Sequence, residues 1–158
     1  MEYSIRPYQS EDLDPIKAIT VEGFTGVSLD HAIEQKLGEL GGHDWRWRKA
    51  RHIDDDVASH AEGIFVAAGN ENEVLGYITT LIDIETGRGR IPNLAVTAAA
   101  RGHGIGRALI EHALNFFREK NLAYAVIETM ASNPIGQTLY PACGFQEITR
   151  QVHYAQKL

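Results

Sequence analysis

The sequence is poor in several things that would have fixed its class at once. It has one cysteine, Cys143, so no disulfide can form within the chain, and no cysteine pair can hold zinc. No window approaches the roughly 18 apolar residues that span a bilayer, which argues against a membrane protein. The opening residues Met1-Glu2-Tyr3-Ser4-Ile5-Arg6 lack the basic-then-apolar layout of a secretory signal. The expected location is therefore cytoplasmic. Basic side chains are outnumbered 15 to 21, and the net charge of -6 argues against nucleic acid as a partner. That charge suits a cationic acceptor such as an amine, and equally it keeps a protein soluble. Seven histidines are present, but His52/His60 and His103/His112 have no compact metal-ligand spacing, so no metal is expected. With no repeat, low-complexity tract or Pro/Ser-rich linker, residues 1–158 read as one domain.

What is present alternates between helical and strand patterns. A short strand ends at Ile5-Arg6-Pro7, and Ser10 reads as the N-cap of a helix that ends near Gly23. A second helix is expected from Leu29 to Leu40, closed by Gly41-Gly42. Trp45 to Arg51 reads as an amphipathic helix with two half-buried tryptophans, and Asp54-Asp55-Asp56 as a solvated turn. Ile64 to Ala68 suits a buried strand, paired across the Gly69–Glu73 turn with Val74 to Ile84. Gly87 to Arg90 reads as a turn, Ile91 to Val96 as a strand. Ile105, Ala108, Leu109, Ala113 and Phe116 mark the apolar face of a helix over 105–120. Tyr124 to Met130 reads as a strand, Asn133-Pro134 as a helix start, and Ile148 and Val152 as parts of terminal strands. The sum is an α/β (α+β) domain with a mixed sheet.

Between the Ile91–Val96 strand and the strongest helix lies Arg101-Gly102-His103-Gly104-Ile105-Gly106-Arg107. Its glycines allow a sharp turn and a close approach of backbone to ligand. The free N–H groups of the following first helical turn, the helix dipole and the two arginines suit a phosphate. The third glycine of a dinucleotide fingerprint is missing whether counted from Gly102 or Gly104, and the Gly-Lys-Ser/Thr of a P-loop is absent. A plain helix-entry turn remains an equal reading of the loop alone.

Taken in order, the motifs resemble the GNAT family, the GCN5-related N-acetyltransferases. Arg101, Gly104 and Gly106 fill that family's [Q/R]-x-x-G-x-[G/A] phosphate loop. Asn93-Leu94-Ala95-Val96 looks like its fourth strand, Glu128 through Asn133 like its fifth strand and exit, and Tyr140-Pro141-Ala142-Cys143-Gly144-Phe145 like its Y-x-x-x-G-F segment. The resemblance covers about residues 62–150. It implies a mostly antiparallel sheet of six to seven strands flanked by about four helices and splayed between strands 4 and 5. It also implies acetyl-CoA as cosubstrate, held by Leu94, Ala95 and Val96 backbone, by the loop Arg101, Gly102, His103, Gly104, Ile105, Gly106 and Arg107, and by Asn133. His103 is expected to offer backbone more than ring. Pro92, which cannot donate to a ladder, suits a strand that bulges there.

Amine acetylation needs a base to free the attacking nitrogen and an acid for the leaving thiolate. Tyr140 matches the family's acidic tyrosine. Glu128 matches the glutamate given the base role in the ribosomal-protein N-terminal acetyltransferase branch; a structural ion pair is its competing reading. Asp83 and Glu85 are weaker candidates. Gly136 departs from the family's common alanine and is expected to loosen its helix. Cys143 reads as a small packed residue. The acceptor is left open among a protein N-terminus or peptide, a polyamine, an aminoglycoside and a small metabolite amine. A non-catalytic acyl-CoA sensor is the alternative function. Oligomeric state is not readable; a homodimer is compatible with the sequence.

Overall fold

The computed structural model describes residues 1–158. Seven strands and five helices follow in the order β1 (Ser4–Pro7), α1 (Leu13–Gly23), α2 (Leu29–Leu37), α3 (Trp45–His60), β2 (Phe65–Ala68), β3 (Val74–Ile78), β4 (Leu81–Asp83), β5 (Arg88–Ile91), β6 (Leu94–Val96), α4 (Ile105–Glu119), β7 (Tyr124–Ile127) and α5 (Pro134–Ala142). The strands form two sheets, β1-β2-β3-β6 and β4-β5-β7. All pairings are antiparallel except β5 with β7. No helix is long and apolar enough to cross a membrane.

The two sheets are halves of one sheet, broken along a line. The run from Val74 pairs with the run ending at Val96 on both sides of the break, as Ile78↔Leu94 and as Leu81↔Arg90. The break falls at Thr79-Thr80 on one run and Pro92-Asn93 on the other. Pro92 has no N–H to give a ladder, so pairing lapses there. Each run, expected as one strand, is therefore two. Gly89 lies in β5 rather than in a turn, because a Cβ there would meet the Phe117 ring at 2.6 Å.

β2 is buried on both faces. Phe65 and Ala67 pack with Ile105, Leu109, Ala113 and Phe117 of α4, while Val66 faces Ile16, Ile19 and Ile53 of α1 and α3. Ile105, Leu109 and Ala113 of the expected α4 stripe are buried, while Ile110 and Phe117 rather than Ala108 and Phe116 complete it.

Several expectations are corrected. Ser10 does not cap α1: Ser10–Asp12 form a short 3₁₀ turn capped by Gln9, whose N–H donates to the Asp12 carboxylate at 2.8 Å, and Asp12 is the N-cap of α1. α2 stops at Leu37 because Gly38 takes the left-handed φ of 77°. Trp45 is fully buried and Trp47 exposed, so the two do not share a half-buried state. Asp54 to Asp56 are not a turn but the third and fourth turns of α3. There Asp54 pairs with Lys17 at 2.8 Å and Asp56 is buried. β7 ends at Ile127, three residues early. No strand forms around Ile148 or Val152. From Gln146 to Leu158 the chain is exposed, and no Gly, Pro, Asn or Asp offers a hairpin turn.

Candidate functional site

The sheet break opens a cleft. β5 and β7 run parallel up to Ile91↔Ile127, after which they part. β6 leaves to pair with β3, and the chain after β7 leaves toward α5. One edge of Leu94–Val96 is in the ladder; the other faces a cleft of about 610 Å³. The residues expected to hold the cofactor, with Tyr140 and Glu128, line it, His103 excepted; the weaker candidates Asp83 and Glu85 do not. The His103 ring turns back toward the Arg101 carbonyl at 3.0 Å.

The floor of the cleft is the glycine loop. Gly102 and Gly104 take φ of 80° and 78°, and an added Cβ at either would meet nothing within 4 Å. Glycine is thus required there by backbone conformation rather than by crowding. Gly104 is the N-cap of α4 and has no side chain to cap it, so first-turn N–H groups are left open to the cleft. Arg101 donates from Nε to the Val96 carbonyl at 3.2 Å, which ties the loop to β6. Arg107 pairs with Glu111 at 3.0 Å.

The opposite wall is α5. Asn133 caps it, accepting from the Ile135 N–H at 3.2 Å, and its Nδ2 donates to Thr129 at 3.1 Å. Gly136 is explained by the same threonine: a Cβ would come within 2.7 Å of Thr129 Cγ2. The glycine admits Thr129 rather than loosening the helix. Gly136→Ala should therefore destabilise the protein by about 1–3 kcal/mol, where helix propensity alone predicts a gain. A thermal melt checks the sign. Tyr140 stacks edge-on against Phe145, and burial pushes its hydroxyl up to about 12. Glu128 stands at the mouth, 68% exposed, with Arg90 Nε at 2.9 Å from its Oε1.

What holds the break open is a buried network with no local sequence signal. Asn93 Nδ2 and Thr79 Oγ1 both donate to Asp56 Oδ2, at 2.7 and 2.8 Å. Asn93 Oδ1 accepts from Lys49 at 2.7 Å. The Asn93 N–H donates to Thr79 Oγ1 at 3.0 Å, and the Thr79 N–H to the Asn93 carbonyl at 2.9 Å. All four residues are buried, and together they pin α3 to both broken runs immediately before Leu94. Burial raises the Asp56 carboxyl above its usual range, against the pull of Asn93, Thr79 and Lys49. The Lys49 ammonium, buried against the Phe24 ring at 4.0 Å, is brought down to about 8 by desolvation. Lys49 and Phe24 line a second arm of the cleft with Asp30 and His52. Only a lysine and histidine three apart on one helix face hinted at this arm.

Residues 29–145 match the Acetyltransferase (GNAT) family. An uncharacterized N-acetyltransferase of Methanocaldococcus jannaschii is 36% identical over 90% of this chain and 78% of its own length. The chain belongs to the GNAT acetyltransferase family. A longer GNAT relative, N-acetyltransferase 8F1 of Rattus norvegicus, is 31% identical over 68% of the chain. The chain spans about half of that relative, 53% of its length. The PaiA N-acetyltransferase of Thermoplasma acidophilum, solved in complex with coenzyme A, shares the fold at a TM-score of 0.73, with 17% identity over 92% of this chain and 91% of that one. The divided sheet is thus the GNAT sheet opened at its splay.

Proposed function

We propose that this GNAT protein moves an acetyl group from acetyl-CoA directly to a primary amine. The observation that carries this reading is one cleft that joins a left-handed glycine loop at a helix N-terminus to a free strand edge and a half-buried tyrosine. Each part fits a different piece of the donor. The open N–H groups of α4, with Arg101, suit the pyrophosphate. The free edge of Leu94–Val96 suits the amides of the pantetheine arm, which would extend the sheet as an added strand does. Asn133 lies on the opposite side of that path. A relative by fold that was solved with coenzyme A supports the same donor.

Acetyl-CoA supplies an activated acyl carbon. A backbone N–H of β6 polarises its carbonyl as negative charge builds on oxygen. The amine nitrogen forms the new C–N bond and the C–S bond breaks. Tyr140 donates to the departing sulfur. A phenol held near 12 is a weaker acid than a thiol, ordinarily about 8.5, so Tyr140 stabilises the thiolate by a hydrogen bond more than by full proton transfer. Glu128 was the expected base, and its place at the mouth is compatible with a role toward the amine. Its ion pair with Arg90 suits it better to attracting the acceptor's ammonium than to taking the proton.

Ligand-dependent melting tests the donor. Acetyl-CoA and CoA should raise Tm, whereas ATP and NAD should not. Gly104→Ala, which forces a side chain into the left-handed region, should weaken acetyl-CoA by roughly tenfold, from a strain of about 1–2 kcal/mol. Stabilisation by ATP or NAD but not CoA would overturn the reading.

A further inference from the structure

The second arm of the cleft holds a pair that the reaction as described above does not use. His52, on α3, and Asp30, on α2, lie with Nε2 at 3.4 Å from Oδ2. The His52 side chain is 46% exposed and the Asp30 side chain 15%, so the imidazole reaches the cleft while its partner is largely enclosed. The two helices that carry them are fixed to each other. The Trp45 N–H donates to Glu34 at 3.0 Å, and His31 stacks on the Trp45 ring at 4.6 Å. A carboxylate on Nε2 holds the hydrogen on that nitrogen, which leaves the lone pair on Nδ1. Nδ1 is 3.4 Å from Lys49 Nζ, and Lys49 binds Asn93, the residue just before the Leu94–Val96 edge. In the free protein that lone pair accepts from Lys49 at 3.4 Å, a long contact that an acceptor amine entering this arm of the cleft would replace.

We propose that His52, oriented by Asp30, is the general base that takes the proton from the acceptor amine. Base and orienting carboxylate form the arrangement that activated nucleophiles generally need. The proton passes from the amine nitrogen to Nδ1 as the C–N bond forms; the thiolate leaves beside Tyr140 and takes up a proton on release. His52 then returns its proton to water across its exposed face. Asp30 and Lys49 are positioning residues.

The electrostatics agree with the geometry. Burial, then the Lys49 ammonium, lowers His52 below its usual value, and Asp30, Asp56 and Asp55 oppose that shift. His52 is therefore uncharged at neutral pH, with its lone pair available. An α-amino group, ordinarily at about 7.7–8.0, reaches such a base already partly neutral, whereas a lysine side chain at about 10.4 does not, so a peptide N-terminus is the acceptor to try first.

This inference rests on the acetyltransferase reading, and one experiment separates the two. CoA thiol release is followed with saturating acetyl-CoA and a short peptide with a free N-terminus, across pH, for the parent protein, His52→Ala, Lys49→Gln and Glu128→Gln. The parent's kcat should fall on the acid side, with its midpoint below about 6.5. His52→Ala should lose about 10²–10⁴-fold in kcat, keep its acetyl-CoA affinity, and regain rate when free imidazole is added. Lys49→Gln, which keeps a donor toward Asn93, should move the acid limb upward, and Glu128→Gln should leave the limb in place. An unchanged kcat in His52→Ala, a loss that imidazole does not restore, or an acid limb that disappears in Glu128→Gln overturns the assignment while leaving the transferase reading intact. No thiol release by the parent protein with this peptide or with any of a broad panel of amines overturns both.

Discussion

Tyr140→Phe should lower kcat by about 10²–10³-fold and leave acetyl-CoA binding as it was. The reason is local. The hydroxyl is the only group removed, and the ring keeps its edge-on contact with Phe145, so α5 and the cleft wall stay in place. The loss falls on the step in which charge appears on sulfur, not on the bound ground state, and so it separates kcat from KM. Burial also fixes the pH behaviour. A hydroxyl held up at about 12 keeps its proton throughout the neutral range. Tyr140 therefore contributes no basic limb to the rate until pH approaches that value. A decline at lower pH that persists in Tyr140→Phe belongs to another group. Stopped assays of thiol release, with acetyl-CoA titration by calorimetry, check both halves. Equal turnover in the two proteins would remove Tyr140 from the chemistry.

Asn93→Ala should be the most damaging single change to the fold. Its side chain joins the Lys49 ammonium to the Asp56 carboxylate, with bonds of 2.7 Å on each side. Truncation strips a buried ammonium of its close acceptor, leaving it only His52 at 3.4 Å, and leaves the carboxylate with Thr79 alone. Breaking a buried charged network from one side costs about 3–5 kcal/mol. In a protein of this size that corresponds to a Tm drop of roughly 6–20 °C. The same change should raise KM for acetyl-CoA, because Asn93 anchors the chain just before the edge at Leu94–Val96. A loss below about 1 kcal/mol, or a stable variant with unaltered KM, would show that the network does not set the sheet break.

The parts of the site that the sequence revealed are those whose signal is local. The glycine loop and the Asn133-Pro134 cap of α5 depend on residues within one turn and are found as read, and the regular spacing along α4 gives its buried face to within a residue. The parts it concealed depend on partners far along the chain. Asp56 reads as one of three solvated acids, yet its partners are Thr79 and Asn93. Lys49 looks like one more cation in a basic helix until Asn93 and Phe24 are placed beside it. The same limit explains the strands. Val74 to Ile84 and Ile91 to Val96 are apolar on both sides of Thr79-Thr80 and Pro92-Asn93, and only their mutual pairing shows that both break along one line. Pro92 was the single local hint of that line. At the C-terminus the error ran the other way. Spaced apolar residues at Ile148 and Val152 suggested strands, but nothing there supplies a turn, and the chain lies exposed.

These placements give the cleft two arms with separate chemistry. One arm offers a phosphate cradle and a strand edge, which the proposed function gives to the donor; the other offers a histidine, a carboxylate and an aromatic wall, which it gives to the acceptor. The break at Asn93 lies between them. The account requires both to act in one turnover, with no acetyl group parked on the protein. The most direct test is to incubate the protein with acetyl-CoA, with and without a peptide bearing a free N-terminus, and to measure free CoA thiol together with acetylated peptide. The account predicts thiol and acetylated peptide in equal amounts, and no thiol above background when the amine is withheld. Acetyl-CoA binding with no acetylated amine across a broad panel of amines would contradict it.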